Sequence, residues 1–323
     1  MTLHATLGDL TLETGEVVRG VRLAYDTWGE FDGSNAVLIL HALTGDSLVT
    51  GADGWWSEVV GPGLGIDTDR WFVVAANILG GCSGSTGPVT QPDFPAVTVR
   101  DQVAAEALLA DHLGIERWHG VVGGSAGGMR ALEWAIMYPS RVERLFLLAT
   151  SAAASADQIG WTSTQTDIIA AAGPEVGLDL ARRIAHLTYR TEDELTHRFG
   201  RDLQVTGPAA GHFAVESYLR HHGTKLVQRF DARSYVTLGN AMNSHDVGRG
   251  RGGVAAALGL ITARTLVAGI DTDRLYPLHQ QAELAEHIPG ADPLEVVHSD
   301  HGHDGFLIEA APVGALAARL LTS

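Results

Sequence analysis

The sequence predicts an α/β fold: a mostly parallel β-sheet flanked by helices, with a helical insertion between two of its strands. Three observations predict it. In the first third of the chain, short apolar runs alternate with helical spacings, as in βαβ units. Several of those runs are continuous, as expected of strands covered on both faces. Strand-like runs then resume near the C-terminus after a long stretch that holds few of them.

Residues 21–25 read as the first strand, followed by 36–40, 71–76 and 119–122. The last three are continuous apolar runs. Between them, residues 97–113 place Val103, Ala104, Leu108 and Leu109 at helical spacing. A helical run follows at 129–138, then a buried strand at 145–149. From 152 to 243 the pattern changes to helical stretches, such as 178–187 and 214–219, separated by polar segments. Strands return at 265–268 and 294–297, and 311–321 closes the chain as an amphipathic helix. Strands therefore lie on both sides of the helical stretch. Residues 1–151 and 244–323 are expected to build one core, and 152–243 to form an inserted lid.

A chain of 323 residues can form one large domain with such an insertion. With 45% hydrophobic and 19% charged residues it is globular and not disordered. It has no apolar run of about 18 residues, which argues against a membrane span. Residues 1–10 lack the basic stretch and apolar core of a signal peptide. Cys82 is the only cysteine, so no intrachain disulfide can form, and a reducing cytoplasm is the expected location. The formal charge of −16 argues against a nucleic-acid partner, because phosphate backbones require a basic face.

The chemistry is carried by Gly123-Gly124-Ser125-Ala126-Gly127, a G-x-S-x-G pattern placed directly between a strand and a helix. A serine at that sharp turn adopts strained dihedrals, and the flanking glycines let the backbone pack closely. The following helix aims its N-terminus at the serine, favouring negative charge there. With 39 glycines in the chain the five residues alone mean little; the strand–turn–helix context makes Ser125 a candidate nucleophile. Such a serine needs a base and an acid to orient it, which in the α/β-hydrolase fold follow in the order Ser, Asp or Glu, His. Asp271 and Asp273 follow the strand at 265–268, and His298, His301 and His303 follow the strand at 294–297. On pattern alone the choice within each group stays open. Two N–H groups must hold the oxyanion. Ala126 supplies one, and the loop His41-Ala42-Leu43-Thr44-Gly45 after the second strand supplies the other through Leu43. Histidines at 301 and 303 could hold zinc, but no further ligand cluster accompanies them, so no metal is expected.

Together with these motifs, a longer series resembles the homoserine O-acyltransferase family. It includes His41 to Asp46, Gly54-Trp55-Trp56, Asn77-Ile78-Leu79-Gly80-Gly81-Cys82, Asp93-Phe94-Pro95, Ala131-Leu132-Glu133-Trp134, Ser244-His245-Asp246 and Gly302-His303-Asp304. The series spans nearly the whole chain. The resemblance implies the α/β-hydrolase fold and acetyl transfer from acetyl-CoA to L-homoserine in methionine biosynthesis, with no cofactor beyond acetyl-CoA as co-substrate. It implies Asp273 as the acid, before Leu275-Tyr276-Pro277, and His303 as the base. It implies Asp304 as the carboxylate for the substrate amino group, Arg182 and Tyr189 as lid residues reaching the substrate, Thr44 as a further contact, and a homodimer. Succinyl-CoA as donor, serine as acceptor, or a plain esterase are the alternatives. Two departures stand out: Ala126 replaces the family's usual Met, and the stretch between Gly160 and Leu178 is shorter than the family norm.

Overall fold

In the computed structural model, which describes residues 2–204 and 211–323, one eight-stranded sheet organises the chain. In chain order its strands are β1 (Leu3–Thr11), β2 (Val17–Trp28), β3 (Ala36–Leu40), β4 (Phe72–Ala76), β5 (Gly120–Gly124), β6 (Arg144–Leu148), β7 (Arg264–Ile270) and β8 (Glu295–Val297). Across the sheet they run β1-β2-β4-β3-β5-β6-β7-β8. β2 is antiparallel to β1 and β4; every other pairing is parallel.

β3 and β5 are buried at every position, which is why their sequences are continuously apolar. Period-two alternation divides β3 between two cores. Leu38 and Leu40 join Leu132, Trp134 and Leu284 on one face. Val37 and Ile39 join Phe146, Ile270 and Leu320 on the other. The covering helices are α1 (Val99–His112), α2 (Ala126–Met137), α9 (Leu278–His287) and α10 (Ala310–Thr322).

The strand β1 departs from the sequence reading, which begins its strands at residue 21. β1 is an edge strand with only Ala5 and Leu10 buried, so it lacks an apolar signal. Its ladder shifts register around Gly8, whose φ of +84° suits a bulge.

Between β6 and β7 lie α3 (Ala156–Ala172), α4 (Pro174–Tyr189), α5 (Glu192–Phe199), α6 (Ala214–Val227), α7 (Ala232–Asn243) and the short α8 (Val254–Leu258). Residues 205–210 of the expected insertion lie outside the described residues. Ile169, Leu178, Leu226, Phe230, Tyr235 and Leu238 of these helices form a core that also takes in Ile78, with Leu43 and Cys82 packed against it. α3 also escapes the sequence reading, because its helical face buries only Gln158, Gln165 and Ile169. Its start is set by a capping box between Ser155 and Gln158. Gly173 alone joins it to α4, at φ +83°.

The insertion leaves and rejoins the sheet at one staple. Ala153 bridges Asp246, the His245 ring meets the Ser151 carbonyl at 3.2 Å, and Arg100 donates to the Asp246 carbonyl at 3.1 Å. The Ser244-His245-Asp246 motif is therefore structural. Among the described residues, no single helix is long and apolar enough to cross a membrane.

Candidate active site

Ser125 sits between β5 and α2 with φ 56° and ψ −126°, a region that costs a non-glycine residue energy. Its surroundings hold it there. Its N–H donates to the Leu148 carbonyl at 3.0 Å, and its own carbonyl accepts from Gly128 at 2.9 Å. The neighbouring glycines are steric requirements. A Cβ on Gly123 would overlap the Gly127 carbonyl, one on Gly127 would overlap the Leu40 carbonyl, and one on Gly128 would lie 2.5 Å from the Thr150 side chain.

The loops after β7 and β8 bring up the partners. Ser125 Oγ lies 2.9 Å from His303 Nε2, and His303 Nδ1 lies 2.6 Å from Asp273 Oδ2. The other Asp273 oxygen accepts the N–H groups of Leu275 and Tyr276, each at 2.8 Å. All three side chains are buried. Burial works to lower the His303 pKa, but the Asp273 charge and hydrogen bond, with Asp304 further off, hold it above its ordinary value. Tyr276 stacks on the His303 ring at 4.9 Å. Burial, with the Asp273 charge beside it, pushes the Tyr276 phenol up, so it stays neutral.

The other acid and histidines face elsewhere. Asp271 pairs with His298 at 2.7 Å on the surface, where the His298 side chain is 84% exposed. The His301 ring faces Glu194 and Arg190. The His301 and His303 rings thus serve different partners, and no group of three or more His, Cys, Asp or Glu among the described residues is arranged to hold a metal.

Leu43 lies in a turn closed by Gly45 N–H donating to the Ala42 carbonyl at 2.9 Å. Among the described residues neither Leu43 N–H nor Ala126 N–H donates to protein. β3 and β5 are neighbours with Leu40 opposite Gly123, so the two loops leave the sheet side by side. A small cavity of about 10 Å³ is lined by Ala126 together with Leu43, Ile78, Val99, Leu238 and Met242.

The helical insertion reaches this site through α4. The Tyr189 ring lies 5.8 Å from the His303 ring, and the Arg182 guanidinium lies 5.6 Å from the Tyr189 ring centre. Arg182 also donates to Thr44 Oγ1 at 3.4 Å. Asp304 pairs with Arg190 Nε at 2.9 Å, and Arg190 also pairs with Glu194 at 3.0 Å. The sequence reading missed Arg190 as well as Arg229, which donates to the Thr44 carbonyl at 2.7 Å. Arg190 directly follows Tyr189, so its place beside the site was available from sequence. Arg229 comes from the far side of the insertion and carried no signal.

A serine hydrogen-bonded to a histidine that is itself hydrogen-bonded to a buried aspartate, at the carboxyl ends of this sheet, defines an α/β-hydrolase-fold protein. A family model described as alpha/beta hydrolase fold matches residues 35–310. More narrowly, the chain is 55% identical to the homoserine O-acetyltransferase of Thermobifida fusca, over 97% of this chain and 91% of that protein. A crystal structure of homoserine O-acetyltransferase from Staphylococcus aureus superposes with TM-score 0.88 at 30% identity, covering 100% and 95% of the two chains. An acetylester hydrolase from Corynebacterium glutamicum superposes with TM-score 0.86 at 26% identity, covering 100% and 96%. The chain belongs to the homoserine O-acetyltransferase family and is an enzyme of acyl transfer. The Thermobifida alignment spans 345 residues, more than the 323 of this chain, so that relative carries segments absent here.

Proposed function

We propose that the protein moves an acetyl group from acetyl-CoA to the hydroxyl of L-homoserine by a two-step, ping-pong route. The observation that carries this reading is the continuous Ser125–His303–Asp273 hydrogen-bonded chain beside two free backbone N–H groups. His303, oriented by Asp273, takes the Ser125 proton as Oγ attacks the thioester carbon. The Leu43 and Ala126 N–H groups hold the oxyanion, where losing one donor costs about 100- to 1,000-fold in rate. The C–S bond breaks, the CoA thiolate takes the proton from His303, and an acetyl-Ser125 ester remains. The homoserine hydroxyl then attacks that ester with His303 again as base, giving O-acetylhomoserine and free Ser125.

Homoserine is a zwitterion, and groups of both charges lie near the triad. In this reading Arg182, next to Tyr189 and Thr44, takes the carboxylate, and Asp304 takes the ammonium while sharing its charge with Arg190. The insertion acts as a lid that disfavours water as the competing acceptor. The exposed Val176, Leu180 and Leu187 on α4 support a homodimer through that lid. No cofactor is needed beyond the acetyl-CoA co-substrate.

Hydrolysis is the second reading, favoured by the likeness to the acetylester hydrolase. Acetyl-CoA and succinyl-CoA, each offered with homoserine and with serine, separate the cases when free thiol and O-acyl product are read together. Thiol release coupled to O-acetylhomoserine supports the proposal. Acetate release independent of homoserine overturns it in favour of the esterase. Ser125→Ala should trap no labelled acyl-enzyme, and persistent labelling would sink the nucleophile assignment.

A further inference from the structure

The loop that carries Leu43 is short, follows β3 directly and contains Gly45, yet its N–H must keep a fixed aim. We infer that His41 and the buried Arg130–Glu106 pair are positioning residues that clamp this loop beneath the nucleophile. Neither contacts the reacting atoms, and neither belongs to the triad or to the substrate contacts.

Arg130 lies on α2, one turn beyond the nucleophile, and is only 1% exposed. It pairs with Glu106 of α1 and donates through its other terminal nitrogen to the His41 carbonyl at 2.5 Å. Glu106 is held in turn by the Trp134 indole N–H at 2.8 Å. A guanidinium can make both contacts at once because its donors form a rigid fork. The residue that follows Ser125 and the loop that carries Leu43 are thereby tied to the same helix.

The His41 ring locks the loop from the other side. Nδ1 lies 2.7 Å from the Ala42 carbonyl, which can only accept, so this nitrogen carries the proton. Nε2 then presents its lone pair to the Ile78 N–H at 3.3 Å. Burial, reinforced by the Arg130 charge, pushes the His41 pKa down to about 3. The Arg229 charge works in the same direction and the Ala42 carbonyl against it, so the ring stays neutral and the latch does not open with pH.

Further ties close the loop's downstream end. Ser47 N–H donates to Asn77 Oδ1 at 2.9 Å, Asn77 returns a hydrogen bond to Ser47 Oγ at 2.8 Å, and Ser47 Oγ donates to the buried Asp26 at 2.7 Å. The Ala42 carbonyl accepts from both the His41 ring and Gly45 N–H, which closes the turn around Leu43 and leaves its N–H free. The Asn77-Ile78 step, otherwise without a role in the chemistry, supplies an anchor at each end of this loop.

The test rests on the acyl-enzyme reading and uses Arg130→Lys, His41→Phe and His41→Asn. Lysine can keep the Glu106 pair but cannot also span to the His41 carbonyl, which spares the protein an unpaired buried carboxylate. Phenylalanine keeps the ring volume and loses both latch hydrogen bonds. Asparagine can restore the donor to Ala42 and should recover part of the rate. The enzyme is acetylated from carbonyl-labelled acetyl-CoA without acceptor, and the burst of thiol and the infrared carbonyl stretch of the acyl-enzyme are read. Arg130→Lys and His41→Phe are expected to slow acylation by about 10- to 100-fold at unchanged KM, a fraction of the loss on deleting one donor. The ester stretch should move to higher frequency as its hydrogen bond weakens. Wild-type acylation rates with an unmoved stretch would overturn the clamp, as would slow acylation with an unmoved stretch. If even the unmutated enzyme forms no acyl-enzyme, the proposed function fails, a result distinct from either clamp outcome.

Discussion

Replacing Asp273 by Asn tests the triad in a way that this structure makes unusually specific. Asp273 Oδ1 is committed to the N–H groups of Leu275 and Tyr276, both at 2.8 Å. An asparagine must keep its oxygen there, because turning the NH₂ group toward two donors would leave both buried and unpaired. Its NH₂ therefore faces His303 Nδ1 and requires that nitrogen to accept. The proton moves to Nε2, which can no longer accept from Ser125 Oγ, now 2.9 Å away. The backbone contacts survive, so the fold should too. The same change in serine proteases fixes the wrong tautomer and lowers kcat by about 10⁴, or roughly 5.5 kcal/mol of barrier. Stopped-flow thiol release from acetyl-CoA would show the burst amplitude and rate, with circular dichroism as the check on folding. A folded Asp273→Asn enzyme within about tenfold of wild-type acylation would refute the argument, because neither the tautomer nor the Asp273 charge would then matter.

Four further outcomes follow from the structure. The raised His303 pKa predicts that kcat/KM climbs with pH through a value above the ordinary 6.5, since neutral His303 is the base; a profile already flat at pH 6.5 would contradict it. The accompanying stability runs the opposite way, fully present below the ordinary value and lost as pH rises through the folded value, which thermal melts across that range would show. Gly127→Ala drives a Cβ into the Leu40 carbonyl and should either prevent folding or reduce activity more than about 100-fold, checked by soluble yield and by burst amplitude. Glu133→Gln weakens a buried carboxylate held by Arg100 at 3.0 Å and Arg251 at 2.8 Å, and should destabilise the fold by about 3–5 kcal/mol in urea unfolding.

The sequence makes the centre of the molecule readable and the periphery much less so. β3, β5 and β6 announce themselves because both faces are buried, and the glycines around Ser125 announce the turn because no larger residue fits. Spacing alone leaves Asp271 against Asp273 open, since each follows the same strand. Three-dimensional contact separates them, with Asp271 turned to an exposed histidine and Asp273 to a buried one. β1 and α3 stay silent because this edge strand and this helix of the insertion bury too few apolar residues to leave a period. Arg130 reads as an ordinary charged position in a helix; only the packing of α1 against α2 gives it Glu106 as a partner.

The pairing of Leu40 with Gly123 has a consequence for how this enzyme can change its acyl preference. The Leu43 and Ala126 N–H groups proposed to hold the oxyanion issue just beyond adjacent strands, whose separation is set by backbone hydrogen bonding at about 4.8 Å. That gauge belongs to the sheet and is indifferent to side-chain identity, whereas the aim of the Leu43 loop also rests on the His41–Arg130 clamp inferred above. Substitutions that line the space beyond the carbonyl, such as those at the small cavity beside Ala126, can reshape that space without altering the strand spacing. Acyl-group diversification on this scaffold thus has its freest room at the pocket wall, while the strand spacing beneath the proposed oxyanion site is inherited with the strand order.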